Sequence, residues 1–378
     1  MKKLLVSILS ACLLISSLSA SEWGGILRNN SKGATQDFSS FRVNQADELY
    51  FWFRSNLGSK WTFSAESFYK YEFSYQEAGF YHNHTVDIDL FKLAFVQPLS
   101  RGKLLLNMGR FTIQDNTKIT LNQLCDGLQF AYSSPVFISS LYAGYTGLLN
   151  SNTVTMLGPG SAPLSPENPL YSLSKGYIPV SLTFTFPVVF ANQYISAQAF
   201  AVIDPTEEAF SRYYANLLLK GYLTNIFYYS IISQFATVNF QNVMNYSQAD
   251  LTLIASKKFN AVIGCSYASG NNAIFSPYNG VSSSTSYTSL VSNEYTSTLI
   301  PNLAFVLMSR KTKTILNTKA IFDCDDNFNF KGLDMDLSFN WNVLSDLQMG
   351  FNIHGYLDYI TQGLENNYYA TFRFAIAF

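Results

Sequence analysis

The chain has 378 residues, only 13% of them charged, with a formal net charge of −1 and an abundance of Tyr (25) and Phe (32). Soluble domains average about 25% charged residues, and a chain so close to neutrality has no broad field to gather nucleic acid. Past residue 20 there is no run of about 20 apolar residues in succession, which excludes helical membrane spans.

At the start, Lys2-Lys3 supplies a charged region, Leu4 to Leu18 an apolar stretch, and Leu18-Ser-Ala20 a small-residue exit. This pattern predicts a cleaved signal peptide over 1–20 and a mature, exported chain from Ser21. Leu9-Ser-Ala-Cys12 offers a competing lipoprotein-type box that would acylate Cys12, but its apolar run is short and the greasy stretch continues beyond it. The remainder, 21–378, reads as a single domain, with no internal repeat and no linker.

Side chains then alternate between apolar and polar, as in strands with two different faces. Strands are predicted at 22–30, 46–57, 60–72, 85–98, 103–113, 123–133, 136–146, 177–187, 189–203, 211–221, 224–236, 246–257, 259–269, 295–308, 311–323, 329–342, 346–357 and 367–378. The count is about eighteen, with sixteen as the alternative; 22–30 also reads as a leader, which would reduce the count. The connections alternate too. Tight turns such as Leu57-Gly-Ser-Lys60, Ser133-Ser-Pro135 and Val343-Leu-Ser345 interleave with longer segments such as 31–45, 114–122, 147–176 and 270–294. Short turns on one side and long loops on the other are the pattern of a transmembrane antiparallel up-and-down β-barrel, whereas a soluble sandwich does not sort its loops by side.

Faces follow from parity. In 46–57, Leu49, Phe51, Phe53 and Leu57 oppose Glu48, Tyr50, Trp52, Arg54 and Asn56, and the charged set belongs inside, because a basic group facing lipid at mid-depth costs about 2–4 kcal/mol. In 85–98 the apolar set shifts from even (Val86, Ile88, Leu90) to odd positions (Phe91, Leu93, Phe95), so a bulge or lumenal aromatics are expected there. The inward charges are Glu48, Glu66, Asp87, Asp89, Asp250, Asp334 and Asp336 against Arg54, Lys70, Lys92, Arg212, Lys220, Lys313, Lys319 and Arg373. Such a lining is wet and nearly balanced, although neighbours such as Lys319 and Asp334 also fit plain cross-strand pairs.

The last eleven residues place Tyr368, Ala370, Phe372, Phe374, Ile376 and Phe378 on one face and Thr371 and Arg373 on the other. A terminal Phe preceded by alternating apolar residues resembles the C-terminal signal of Gram-negative outer-membrane β-barrels. The resemblance implies residence in the outer membrane and recognition by the barrel-assembly machinery through Phe378. A second resemblance lies in Asn107-Met-Gly-Arg110 followed by Cys125-Asp-Gly-Leu128, which is similar to the "Gly-Arg … Asp-Gly" hairpin of alginate-export-type and related porins. A hairpin of this length brings Arg110 near Asp126 for a charge-assisted pair at the lumen. Parity runs the other way, because Asp126 is in step with Leu128 and Phe130.

Loop 147–176 holds four prolines and no strand; folded inward it would narrow a pore, and standing outside it would be a surface loop. Loop 270–294 reads as surface-exposed. Cys125, Cys265 and Cys324 are odd in number and lack Cys-x-x-Cys spacing, and His82-Asn-His84 lacks a third ligand. No catalytic group, metal or cofactor is therefore expected. A barrel hydrolase would need a Ser–His pair presented to substrate, while His354 follows Gln348 and Asn352 inward. Sixteen to eighteen strands enclose an aqueous channel. The expected function is thus an outer-membrane porin for passive diffusion of small hydrophilic solutes. A surface adhesin or structural barrel with a plugged lumen is the alternative, and the partners are outer-membrane lipid and solutes, with a homotrimer admitted.

Overall fold

The computed structural model describes residues 21–36, 38, 40–76, 79–151, 153–154, 170–206, 210–270, 297–324, 328–359 and 366–378. The signal peptide expected at 1–20, much of loop 147–176 and nearly all of loop 270–294 lie outside these residues.

Eighteen strands form one sheet: β1 (Ser21–Gln36), β2 (Ser40–Leu57), β3 (Trp61–Gln76), β4 (Gly79–Leu99), β5 (Gly102–Gln114), β6 (Asn122–Ser133), β7 (Ile138–Tyr145), β8 (Ile178–Phe186) and β9 (Tyr194–Ile203) make one half. The other half is β10 (Arg212–Tyr222), β11 (Phe227–Val238), β12 (Gln241–Ser256), β13 (Phe259–Ala268), β14 (Thr298–Met308), β15 (Thr312–Asp323), β16 (Asn329–Asn342), β17 (Leu347–Asp358) and β18 (Asn367–Ala377). Each strand pairs antiparallel with its sequence neighbours, and β1 pairs with β18, so the sheet closes on itself, although β4 pairs with β5 only over Phe91–Leu99. Phe378 completes the closure by exchanging backbone hydrogen bonds with Gly25 (2.8 and 2.9 Å).

β1 is a full stave rather than a leader, and the hairpin of β3 and β4 runs on to Gln76 and Gly79. His82 and His84 sit in β4, with Tyr69 and His84 hydrogen-bonded at 2.6 Å. The parity change in β4 is a bulge. Glu66 faces Leu90 and Ser67 faces Ile88, leaving Asp89 as the extra residue.

The exterior carries the apolar set of every strand, including Phe51, Phe91, Leu128, Leu217, Phe235, Leu337 and Ile353, all exposed. Aromatic pairs gather toward both ends of the staves. Trp61–Phe95 and Phe137–Phe186 lie toward one end, while Phe73–Phe80 and Tyr213–Phe240 lie toward the other, by the tight β3–β4 and β11–β12 connections, where longer loops were expected. Two such girdles around an apolar band are what a membrane-spanning barrel requires. The interior is unequal: inward side chains of β9 to β11 are buried, including Ser196, Gln198, Phe200, Val202, Tyr214, Asn216 and Gln234, whereas those of β1 to β3 are mostly half-buried or exposed.

Candidate functional site: an inner hairpin beside a polar lumen

The buried half is covered by the tip of the β5–β6 hairpin, which leaves the wall and crosses to the inner faces of β7 to β13. The departure is set by a row of three glycines, Gly109, Gly127 and Gly144, that lie opposite one another on β5, β6 and β7. Gly109 has φ +106°, and a Cβ on it would stand 2.1 Å from the carbonyl oxygen of Phe91. No larger residue permits this bend. Beyond it Phe111, Ile113, Ile119, Leu121 and Cys125 pack on Tyr142, Tyr177, Phe200, Tyr214, Leu218 and Ile232. Each such side chain contributes about 1.5–3 kcal/mol on full burial.

Polar contacts fix the tip. The buried Asp115 carboxylate accepts from the backbone N–H groups of Thr117 (3.1 Å), Ile119 (3.3 Å), Thr120 (3.2 Å) and Leu121 (2.7 Å), which shapes the turn. Across the lumen, the Asn116 N–H donates to Gln198 Oε1 (2.9 Å) and its amide to Ser196 (3.1 Å), while Gln234 Nε2 donates to Thr120 Oγ1 (3.2 Å). Thr112 and Gln114, on the opposite face of the hairpin, are exposed.

Arg110 latches the base of the hairpin. Its Nε and Nη2 donate to the two oxygens of Asp126 (both 2.9 Å), Nη1 to Asp87 (3.1 Å) and the Ile88 carbonyl (3.3 Å), and Nη2 also to the Leu148 carbonyl (2.8 Å). Asp87 additionally accepts from Thr153 (2.5 Å). Because the hairpin turns inward here, residues of outward parity face the vacated wall instead of lipid, which is why Asp126 can be in step with Leu128 and yet pair with Arg110. The vacated edge of β4 is occupied by the bases of loop 147–176: Val86 N–H donates to the Leu170 carbonyl (3.3 Å), and the Asn150 amide donates to the Val86 carbonyl (3.0 Å). The segment that crosses the lumen among the described residues is therefore 115–121, and the described ends of 147–176 line the wall.

Nearby, Lys175 and Asp204 form an ion pair of 2.9 Å between the loops that follow β7 and β9. Burial works to raise the Asp204 pKa, but hydrogen bonds from Thr206 and Lys175 outweigh it and hold the carboxyl below its ordinary value. Burial likewise opposes the charge on Lys175, and the Asp204 bond outweighs it and raises that ammonium.

The open half is lined by β1 to β4 and β15 to β18. Arg28 lies opposite Glu48, Glu48 opposite Lys70, and Trp52 opposite Glu66. Arg28 rests 4.2 Å above the Tyr50 ring and Lys32 4.0 Å above Tyr369. The bulged Asp89 faces inward, with Glu66, Glu48 and Arg28 among its charged neighbours. Recesses open along this wall: one of about 370 Å³ is bounded by Lys32, Asn44, Glu72 and Asn83, and another of about 290 Å³ by Arg28, Glu48, Asn340, Gln348 and Arg373.

Glu48, Arg54, Glu66, Lys70 and Arg373 all stand on this inward face, and Lys70 pairs with Glu72 at 2.6 Å. Lys313 lies opposite Asn340, and Lys319 lies opposite Asn302 and Asp334. Lys220 covers the Tyr194 ring at 4.5 Å, and Asp250 accepts from Gln248 at 2.6 Å. Other expected lining residues are withdrawn from the open lumen. Arg110 is buried at the latch against the half-buried Asp126; Arg212 is fully buried, 5.2 Å from the Phe210 ring; Asp334 and Asp336 are buried on either side of His354 (3.4 and 3.5 Å). Sequence reasoning missed Asp115, Gln198 and Gln234, whose roles arise only from the crossing hairpin.

No protein-family model matches the chain, and no curated protein matches it in sequence. Solved structures do. Acinetobacter baumannii OccAB4 superposes with TM-score 0.64 at 10% identity, over 96% of this chain and 99% of that one. Pseudomonas aeruginosa OccK3 (OpdO) gives 0.65 at 10% identity, over 97% of each, and Pseudomonas aeruginosa OpdK, solved with vanillate, gives 0.64 at 11%, over 96% and 99%. The likeness is one of fold.

Proposed function

We propose that the protein is an outer-membrane channel through which small hydrophilic solutes diffuse passively. The observation that carries this reading is the divided interior: a hairpin packed on one wall leaves a charged, amide-rich face open on the other. An eighteen-strand barrel has the girth for an aqueous path, and the outward apolar band with two aromatic girdles suits a bilayer. The related OpdK structure with vanillate supports passage of a small organic solute. Outer-membrane lipid is the surrounding partner, and Phe378, exposed at its ring and bonded to β1, is the element offered to assembly machinery. The hydrolase reading loses support because its candidate base, His354, is fully buried and stacked on Tyr369 (4.7 Å, 1°).

Reconstitution in planar bilayers tests the proposal. Stepwise ohmic currents are expected on insertion; protein inserted in the bilayer that carries no current favours the plugged adhesin or structural barrel.

A further inference from the structure

The chain has three histidines, and the fold treats them in two ways. His354 is fully buried, whereas His82 and His84 are exposed on the outer face of β4, near its turn into β3. They lie opposite Phe73 and Tyr71 of β3, and the intervening Asn83 belongs to the inward set. Residues two apart on a strand share a face, and their Cα atoms stand about 6.7 Å apart. In an irregular loop two such side chains would have no fixed separation. Paired into β4, their backbone is already ordered, so less entropy remains to be lost when both hold one ligand.

The two rings are close to a chelating arrangement. Their centroids are 6.0 Å apart, with the planes at 85°. A metal ion bonded to two imidazole nitrogens at about 2.0–2.1 Å brings the ring centres to about 5 Å, so a side-chain rotation that closes about 1 Å suffices. His84 is also oriented from behind. Its Nδ1 is hydrogen-bonded to the Tyr69 hydroxyl at 2.6 Å, and its ring packs on Tyr71 at 4.9 Å. A hydrogen bond at one ring nitrogen fixes the tautomer and direction of the other, the arrangement that stands behind metal-ligating histidines. Among the described residues His82 has ring contacts alone, with Phe80 and His84. We infer that His82 and His84 form a two-imidazole site for a divalent metal ion of the nickel, copper and zinc group, at the outer rim of the barrel, with water completing the coordination. Imidazole suits all three metals, and affinity along the divalent series peaks at copper. The site uses the outer face only, so it stands or falls independently of the channel reading.

Titration of the full chain with Cu²⁺ tests this, using protein purified without an affinity tag and shown to be folded in detergent by heat-shifted gel mobility. One ion per chain is expected at the site, with pulsed electron paramagnetic resonance detecting two imidazoles on it. His82→Asn and His84→Asn are each expected to leave one imidazole on the ion and to weaken binding by about tenfold or more. Tyr69→Phe removes only the hydrogen bond behind His84 and is expected to weaken binding by about tenfold while both imidazoles stay on the ion. Fewer than two imidazoles in the wild type, one ion shared between two chains, or affinity unchanged in both histidine variants would overturn the inference. Retention on immobilised Ni²⁺ supplies a second measurement: the wild type is expected to bind and either histidine variant to wash through, and equal retention of all three would count against the site.

Discussion

Replacing Arg110 with Met removes the latch of the inner hairpin while keeping much of the side chain's volume. Five hydrogen bonds are lost, three of them to carboxylates. Asp87 is the critical partner, because its side chain is fully buried and breaking a buried pair by removing one member costs about 3–5 kcal/mol. The lower figure applies here, since Asp87 keeps its bonds from Thr153 and the Ile88 N–H. If that cost falls on the closed hairpin alone, about 3 kcal/mol raises the released population a little over a hundredfold. Single-channel recording should then show a higher mean conductance with added open-level noise, and hydrogen exchange across 110–126 should accelerate. Arg110→Lys, which keeps the charge but loses the fork, is expected to fall between the two. Unchanged conductance and unchanged exchange in Arg110→Met would refute the claim that this side chain holds the hairpin inward.

Gly109→Ala forces a Cβ into the left-handed region and against the Phe91 carbonyl; backbone strain alone costs about 1–3 kcal/mol, and a lower urea midpoint for the gel-shifted form should report it. Tyr214→Ala removes a 4% exposed ring stacked on Phe200 at 4.2 Å, with an expected loss of about 3–5 kcal/mol in the same assay. The Lys175–Asp204 contact gives a pH signature. With its folded pKa depressed, Asp204 contributes stability fully present above about pH 4 and lost as pH falls through the lowered native value. Lys175, with its folded pKa raised, contributes fully below about pH 10 and loses the contribution above its raised native value. Exchange protection of 170–177 should hold between about pH 5 and 9 and drop in strong acid; protection unchanged at about pH 2 would argue against the pair.

Strand number and face were legible because a two-residue period is a strong signal when one side must be apolar: all eighteen predicted segments overlap observed strands, and the parity change in β4 marks a true bulge at Asp89. The inner hairpin was not legible. Phe111, Ile113 and Cys125 keep the alternation of a wall strand, and only the glycines at 109 and 127 mark the bend. Arg110 and Asp126 were paired correctly, yet their setting, between a folded-in hairpin and a loop, depends on Leu148 and Asp87, which no local pattern brings to them. The same limit applies to Arg212, Asp334 and Asp336: parity sets direction, and burial depends on what lies across the interior.

The cylinder is not uniformly built. Next to the upper part of β4, the place of a neighbouring stave is taken by irregular chain, joined through the Leu170 carbonyl and the Asn150 amide rather than a continuous ladder. Mechanical or chemical loosening should therefore start at that rim and leave the opposite side, around β13, in register. Insertions there can change the mouth of the vessel without altering its circumference.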